Sequence, residues 1–205
     1  NSRMSRFVRS SKYRHVFGAA GKIEEQFLDM KISRTAWDSN KVYCNSTYLA
    51  VLWEATGGGS FCVLPQTSVG KVKPDQALFS GHKQAVLDLD FSPFNDGIIA
   101  SGSDDAYAKV WQIPEGGLTE TAREPLQNLI GHKRKIGTVN FHPVAENVLA
   151  TSSADYTVKL WDIATGKANV TVEGHKNLIQ DFGWNYNGTQ FATSSKDKTV
   201  RIFDP

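Results

Sequence analysis

The sequence is poor in the features that announce most catalytic and binding classes. It has only two cysteines in 205 residues, Cys44 and Cys62. They do not form the close pairs that a zinc site or a disulfide framework needs, which leaves reduced thiols of a cytosolic protein. No apolar run reaches the ~20 residues of a bilayer-spanning helix, so no transmembrane segment is expected. Neither sign of charge is in excess: 23 Lys and Arg stand against 21 Asp and Glu, a net +2. A nucleic-acid binder concentrates cations on one face and shows the surplus in its total, so nucleic acid is not expected as a partner. There is no Gly-x-x-x-x-Gly-Lys phosphate loop. Gly57-Gly58-Gly59 lies between the strand-like runs Tyr48–Trp53 and Ser60–Leu64, where a hairpin turn is the plain expectation. The chain opens Asn1-Ser2-Arg3 before Met4 and has no signal peptide with an apolar middle. The sequons at Asn45, Asn169 and Asn187 are therefore read as chance matches. A start other than methionine implies a cloning remnant or an incomplete chain.

What is present is a repeat. One template begins at Gly81-His82, runs through Ala85–Pro93 and Ile98–Asp105, and ends at Trp111. A second begins at Gly131-His132, passes Ile136–Pro143 and Val148–Asp155, and ends at Trp161-Asp162. A third begins at Gly174-His175, passes Asp181–Trp184 and Phe191–Asp197, and ends at Phe203-Asp204. Histidine to aspartate spans 23, 23 and 22 residues, and histidine to the closing aromatic spans 29, 29 and 28. Successive histidines are 50 and 43 apart, so the variation falls in the connections. That is how a fixed unit joined by surface loops behaves.

Each unit reads as short strands. Ala85–Phe91, Ile136–Phe141 and Ile179–Trp184 form one set; Ile98–Ser101, Val148–Ser152 and Gln190–Ser194 a second; Ala106–Trp111, Thr157–Trp161 and Thr199–Phe203 a third. Turns at Ser103–Asp105, Ala154-Asp155 and Lys196–Lys198 join the second and third sets. A fourth strand is expected before the next Gly-His, as at Lys167–Val172. Four antiparallel strands per 40–45 residues describe a propeller blade. The Gly-His…Asp…Trp-Asp signature resembles the WD-repeat family over residues 81–205, complete in the second unit and carrying Trp111-Gln112 and Phe203-Asp204 in the others. The fold expected is an all-β WD-repeat β-propeller.

A histidine, serines and an aspartate in each unit invite a hydrolase reading. The family resemblance implies instead a hydrogen-bonded network inside each blade, here His82, Asp105 and Trp111; His132, Asp155 and Trp161, with Ser or Thr at 151–153; and His175 with Asp197. Buried imidazole and carboxylate must be paired, and pairing them fixes the loop between blades. A set that recurs three times argues for architecture, because an enzyme needs one site. No catalytic residue, metal or cofactor is expected. A serine acting through such a set, at Ser103 or Ser153, is the enzyme alternative.

Residues 1–80 lack Gly-His but carry the most specific resemblance. Ser11–Gly18, Ile32–Asp38, Glu54–Phe61, Val63–Pro65 and the run from His82 to Glu115 are similar to the opening of the coronins. The similarity is collinear from about Met4 to Pro205. It implies a basic N-terminal segment at 1–25, a degenerate first blade at 26–80, and WD repeats at 81–130, 131–173 and 174–205. That makes about four blades of an expected seven, the N-terminal half of such a protein. An isolated piece of this kind is expected to associate through its bare edges. The resemblance further implies binding to filamentous actin, contact with actin-nucleating and actin-severing regulators, and a place in the cytoplasm at the actin cytoskeleton and cell cortex. Oligomerisation would need a C-terminal coiled coil that these residues do not contain.

The position carried over as actin-binding is Lys31, a lysine where many relatives have arginine, so charge is kept and bidentate geometry lost. Arg34 lies three residues on. Actin filaments are acidic, which adds two basic clusters as candidates: Arg9 and Lys12 in the N-terminal run, and Lys133, Arg134 and Lys135 after Gly131-His132. The competing reading is a general WD-repeat scaffold that docks other proteins without touching actin.

Overall fold

The computed structural model describes residues 21–56 and 59–205. Arg9, Lys12, the rest of the basic N-terminal run, and Gly57-Gly58 lie outside the described residues. Apart from a short 3-10 turn at Ile23–Glu25, the regular structure of the described residues is β. Among the described residues no helix is long and apolar enough to cross a membrane.

Strand β1 (Phe27–Leu28) stands apart from the blades. The first blade comprises β2 (Val42–Cys44), β3 (Tyr48–Trp53) and β4 (Gly59–Pro65). The chain then passes β5 (Gly70–Lys71), which pairs parallel with β1, before β6 (Phe79–His82) closes the blade in the order β2-β3-β4-β6. The second blade contains β7 (Val86–Phe91), β8 (Ile98–Ser103), β9 (Tyr107–Gln112) and β10 (Gln127–Ile130). The third contains β11 (Ile136–Phe141), β12 (Val148–Ser153), β13 (Val158–Asp162) and β14 (Lys167–Val172). The fourth contains β15 (Ile179–Trp184), β16 (Phe191–Ser195) and β17 (Val200–Phe203). Neighbours within each blade are antiparallel. The first strand of each is innermost, and β7 touches both β2 and β11, while β11 touches β15.

Burial follows that placement. Strand β7 is covered on both faces, whereas β14 is exposed along most of its length. A strand covered on both faces cannot alternate apolar with polar, and the Val86–Phe91 run does so only through two aspartates. The core comprises three slabs between blades and a fourth cluster, in which Trp53, Cys62 and Leu64 of the first blade meet Val72 and the flanking Phe27 and Met30. Leu52, Phe61 and Phe79 of the first blade pack on Leu89, Ile99 and Trp111 of the second. Ala100, Ala108 and Val110 on the opposite face of the second meet Ile136, Val139, Leu149 and Trp161 of the third. Ala150, Val158 and Leu160 then meet Ile179, Phe182 and Phe191 of the fourth. The second and third blades each offer a tryptophan-led set of large side chains to the blade before and a mixture of alanine and aliphatic side chains to the blade after, so that the layers interdigitate.

The β8–β9, β12–β13 and β16–β17 turns share one device. Asp105, Asp155 and Asp197 each accept the backbone N–H two residues on, at 2.9–3.0 Å. The intervening Ala106, Tyr156 and Lys198 are held at φ of 68°, 72° and 69°. A side-chain-capped turn holds the left-handed backbone there without glycine.

Candidate functional site

The Gly-His segments do not belong to the blades whose aspartates they reach. His82 ends β6 of the first blade, and His132 and His175 follow β10 and β14. Each ring crosses to the next blade. His82 Nδ1 lies 3.0 Å from Asp105 Oδ2 and its Nε2 lies 2.7 Å from Ser101 Oγ. His132 does the same with Asp155 (2.9 Å) and Thr151 (2.8 Å), and His175 with Asp197 (2.8 Å) and Thr193 (2.7 Å). Trp111 Nε1 donates to Ser101 at 2.9 Å and Trp161 Nε1 to Thr151 at 2.8 Å. At the fourth blade Phe203 stands where the tryptophan would, and it has no N–H to donate. In the first two Gly-His pairs the tryptophan also crowds the glycine: a Cβ at Gly81 would sit 2.5 Å from Arg123 O and 2.7 Å from Trp111 Cη2, and one at Gly131 would sit 3.1 Å from Trp161 Cη2.

An indole only donates, so the hydroxyl accepts from it and turns its own proton to the histidine Nε2. The imidazole proton then points to the carboxylate. Burial holds His82 below its ordinary range, against the pull of Asp105, which keeps that ring neutral. Burial alone would raise Asp155. The bonds from His132, the Lys133 N–H and the Thr157 hydroxyl outweigh it and hold the carboxyl well below the usual carboxylate range. Asp197 is held low chiefly by the Thr199 hydroxyl and the Lys176 N–H.

The proton order is that of a hydrolase triad, but the nucleophile's place is closed. Ser101 and Thr151 are 0% and 1% exposed, and each hydroxyl already accepts from an indole. Ser103 and Ser153 are not the hydroxyls facing the histidines; they donate to the carbonyls of Gln84 and Arg134. Burial pushes the Cys62 thiol up to about 12, which removes it as a nucleophile. Among the described residues no group of His, Cys, Asp and Glu is arranged to hold a metal ion.

The basic candidates gather at one end of the sheets, where the Gly-His connections and the aspartate turns emerge. Lys133 and Arg134 are exposed and Lys135 is half-buried. The segment 33–41, which leads from β1 to β2, crosses this end as a strap. Trp37 Nε1 donates to Gly137 O at 3.0 Å, and a Cβ at Gly137 would overlap the indole. Lys135 Nζ stands 4.9 Å from the centre of the Trp37 ring, a cation–π distance. Lys41 Nζ braces the strap from within, bonding Trp37 O at 2.8 Å and Thr35 Oγ1 at 3.0 Å. Lys31 is exposed beside β3, its carbonyl accepting from Glu54 N at 2.8 Å. Arg34 is exposed and pairs with Glu54 at 3.4 Å. Lys31 and Arg34 thus sit with the strap's first turn, and Lys135 is tied to its middle.

Beneath the strap is a cavity of about 320 Å³ on the axis side of the inner strands, lined by Asp38, Tyr43, Asp88, Asp90, Thr138 and Asp181 among others. Asp88 accepts from Tyr43 Oη and from Val139 N at 2.8 Å, and Asp90 accepts from Phe141 N at 2.7 Å. Burial raises Asp88 to about 6, the Tyr43 and Val139 bonds opposing it. Burial, reduced by the Phe141 bond and helped by the Asp88 charge, raises Asp90 to about 7. Nothing in the repeat offsets marks these two groups; their only sign is a charged residue at alternate places in an otherwise apolar strand. An aspartate raised on folding binds its proton more readily folded than unfolded. The stability linked to Asp90 is therefore complete below about pH 4 and is lost as pH rises through about 7. Asn140 occupies the corresponding place in β11. Asp90→Asn is accordingly expected to raise stability by on the order of 1–2 kcal/mol at pH 8, a gain that disappears near pH 4. Denaturant titrations at several pH values measure it, and a gain independent of pH would contradict the assignment.

Comparison with known proteins agrees with this geometry. The family described as "WD domain, G-beta repeat" matches residues 74–112, 123–162 and 166–204, and one described as "Domain of unknown function (DUF1899)" matches residues 6–71. The chain is 59% identical over 202 residues to Coronin-A of Dictyostelium discoideum, covering 98% of this chain and 45% of that protein. It is 47% identical over 208 aligned positions to a coronin-like protein of Saccharomyces cerevisiae, covering 97% of this chain and 32% of that one. The crystal structure of the WD40 domain of Toxoplasma gondii coronin superposes with a TM-score of 0.83 at 28% identity, covering 89% of this chain and 46% of that chain. The chain thus spans less than half the length of the curated relatives it matches. With three WD repeats in register, their inter-blade networks and these likenesses together, the chain belongs to the WD-repeat family and, within it, to the coronins.

Proposed function

We propose that this chain is the filament-contacting part of a coronin-type scaffold that organises the actin cytoskeleton, and that it performs no chemistry of its own. The observation that carries this reading is the convergence of Arg34 and Lys133–Lys135 on one end of the propeller, joined through the Trp37 strap, with Lys31 alongside. Exposed cations gathered on one face favour encounter with an acidic filament and fix its orientation. The buried, indole-bound hydroxyls support the non-catalytic reading. Its setting would be the cytoplasm at the cell cortex, where actin-nucleating and actin-severing regulators would meet the same scaffold.

Co-sedimentation of the full-length protein with actin filaments tests this. Wild type is expected to sediment, more strongly at low salt, and Lys31→Glu to bind several-fold more weakly. Equal binding by both would remove Lys31 from the contact. Absence of wild-type sedimentation even at low salt would favour a WD-repeat scaffold for other proteins.

A further inference from the structure

Every Gly-His in the chain is followed by lysine: Lys83, Lys133 and Lys176. The network places all three alike. Their backbone N–H groups donate to Asp105, Asp155 and Asp197 at 2.9, 3.0 and 3.0 Å. The accepting carboxylates are turned inward, with side-chain exposures of 5%, 11% and 9%, while all three lysines are exposed. Among the described residues none of the three ammonium groups is in an ion pair. Three cations therefore leave the same corner of three successive units, over a backbone already ordered by the fold. Between them lies the strap, with Lys135 above the Trp37 ring and a small cavity bounded by Trp37, Leu178 and Lys196 on its other flank.

From this register we propose that Lys83, Lys133 and Lys176 form a docking arc, centred on Trp37, for an acidic protein surface, and that this surface is the side of an actin filament. The inference rests on the function proposed above and extends it from single residues to a repeating device. Each repeat contributes one outward charge, and the ordering cost of binding is confined to lysine side chains because their backbones are pinned. The arc is graded. Asp104 is exposed at the corner that carries Lys83, with no cation next to it in sequence. Glu173 lines the same cleft as Lys133 but is outnumbered by Arg134 and Lys135, and Lys176 shares its end of the blade with Lys196 and Lys198. Lys83 therefore contributes least.

Full-length protein in filament co-sedimentation supplies the test, with the triple Lys→Ala variant at 83, 133 and 176, the triple Lys→Arg variant, and Lys167→Ala on β14 at the opposite end of its blade. Removing three exposed charges is expected to weaken binding about tenfold, equivalent to ~1.4 kcal/mol. The triple arginine variant and Lys167→Ala should bind like wild type, and wild-type affinity should fall as salt rises. Of the single alanine variants, Lys83→Ala should lose least. If wild type binds and the triple alanine variant binds equally, the arc is not the docking face and the actin reading stands without it. Arginine as damaging as alanine, or wild-type binding indifferent to salt, would likewise overturn the arc. If wild type does not sediment at all, the function reading falls and takes the arc with it.

Discussion

Trp161→Ala is expected to cost about 3–5 kcal/mol of stability in the full-length protein, because it empties the largest side chain in the slab between the second and third blades. The ring is 1% exposed and rests against Gly131 and the His132 imidazole, so its loss opens a cavity at a joint that neighbouring strands cannot close. Trp161→Phe separates burial from hydrogen bonding. It keeps most of the apolar contact and removes only the donor to Thr151, at a cost of about 1 kcal/mol. The fourth blade already has this arrangement, with Phe203 in place and Thr193 bonding only its histidine. Denaturant titration of the three proteins decides the matter. A Trp161→Phe variant as unstable as Trp161→Ala would mean that the indole N–H, and not the packing, holds this joint.

Asp155→Ala should be nearly as damaging, at about 3 kcal/mol near neutral pH. The carboxylate accepts from the His132 ring, the Lys133 and Thr157 backbones and the Thr157 hydroxyl, and its removal leaves the buried His132 ring without an acceptor and opens the turn that the other bonds hold. Because the folded protein holds this carboxyl below its ordinary range, the charge stabilises the fold above about pH 4 and ceases to do so as pH falls further. The gap between Asp155→Ala and wild type is expected to be largest near pH 7 and to narrow below pH 4. Asp155→Asn, which keeps an acceptor but no charge, should fall between the two. Urea midpoints across that range measure it; a gap that widens on acidification would reverse the assignment of the charged form.

Residues did not announce their partners equally well in the sequence. Offsets of 22–23 and 28–29 residues marked the histidines, aspartates and closing aromatics, because a network that must close in each unit cannot tolerate a changed spacing. Apolar-rich runs that end near turns placed β11 and β15 at their observed bounds, and the need for a fourth strand before the next Gly-His placed β14. The hydroxyl facing each histidine was harder to read. Several serines and threonines crowd β8 and β12, and strand register alone decides that Ser101 and Thr151 face the ring while Ser103 and Ser153 face a carbonyl. Asp88 and Asp90 left only a weak trace, since their acceptor role depends on the backbone of a strand 51 residues away. The contact of Trp37 with Gly137 spans 100 residues, and no local pattern reports it. Charge runs showed where cations occur but not which of them share a face. The strap decides that, and the pairing of Arg34 with Glu54 could not be read from composition.

Each Gly-His stands at the end of one blade and each aspartate in the turn between the second and third strands of the next, so the sequence unit that repeats carries the joint between two blades and is not a single blade. Tandem copying of such a unit within a gene duplicates an intact joint. The new copy arrives with a histidine cut to fit the blade that follows and an aspartate cut to fit the one before. A protein of this kind can lengthen by one unit without inventing an interface, and divergence can then be spent on the exposed corners.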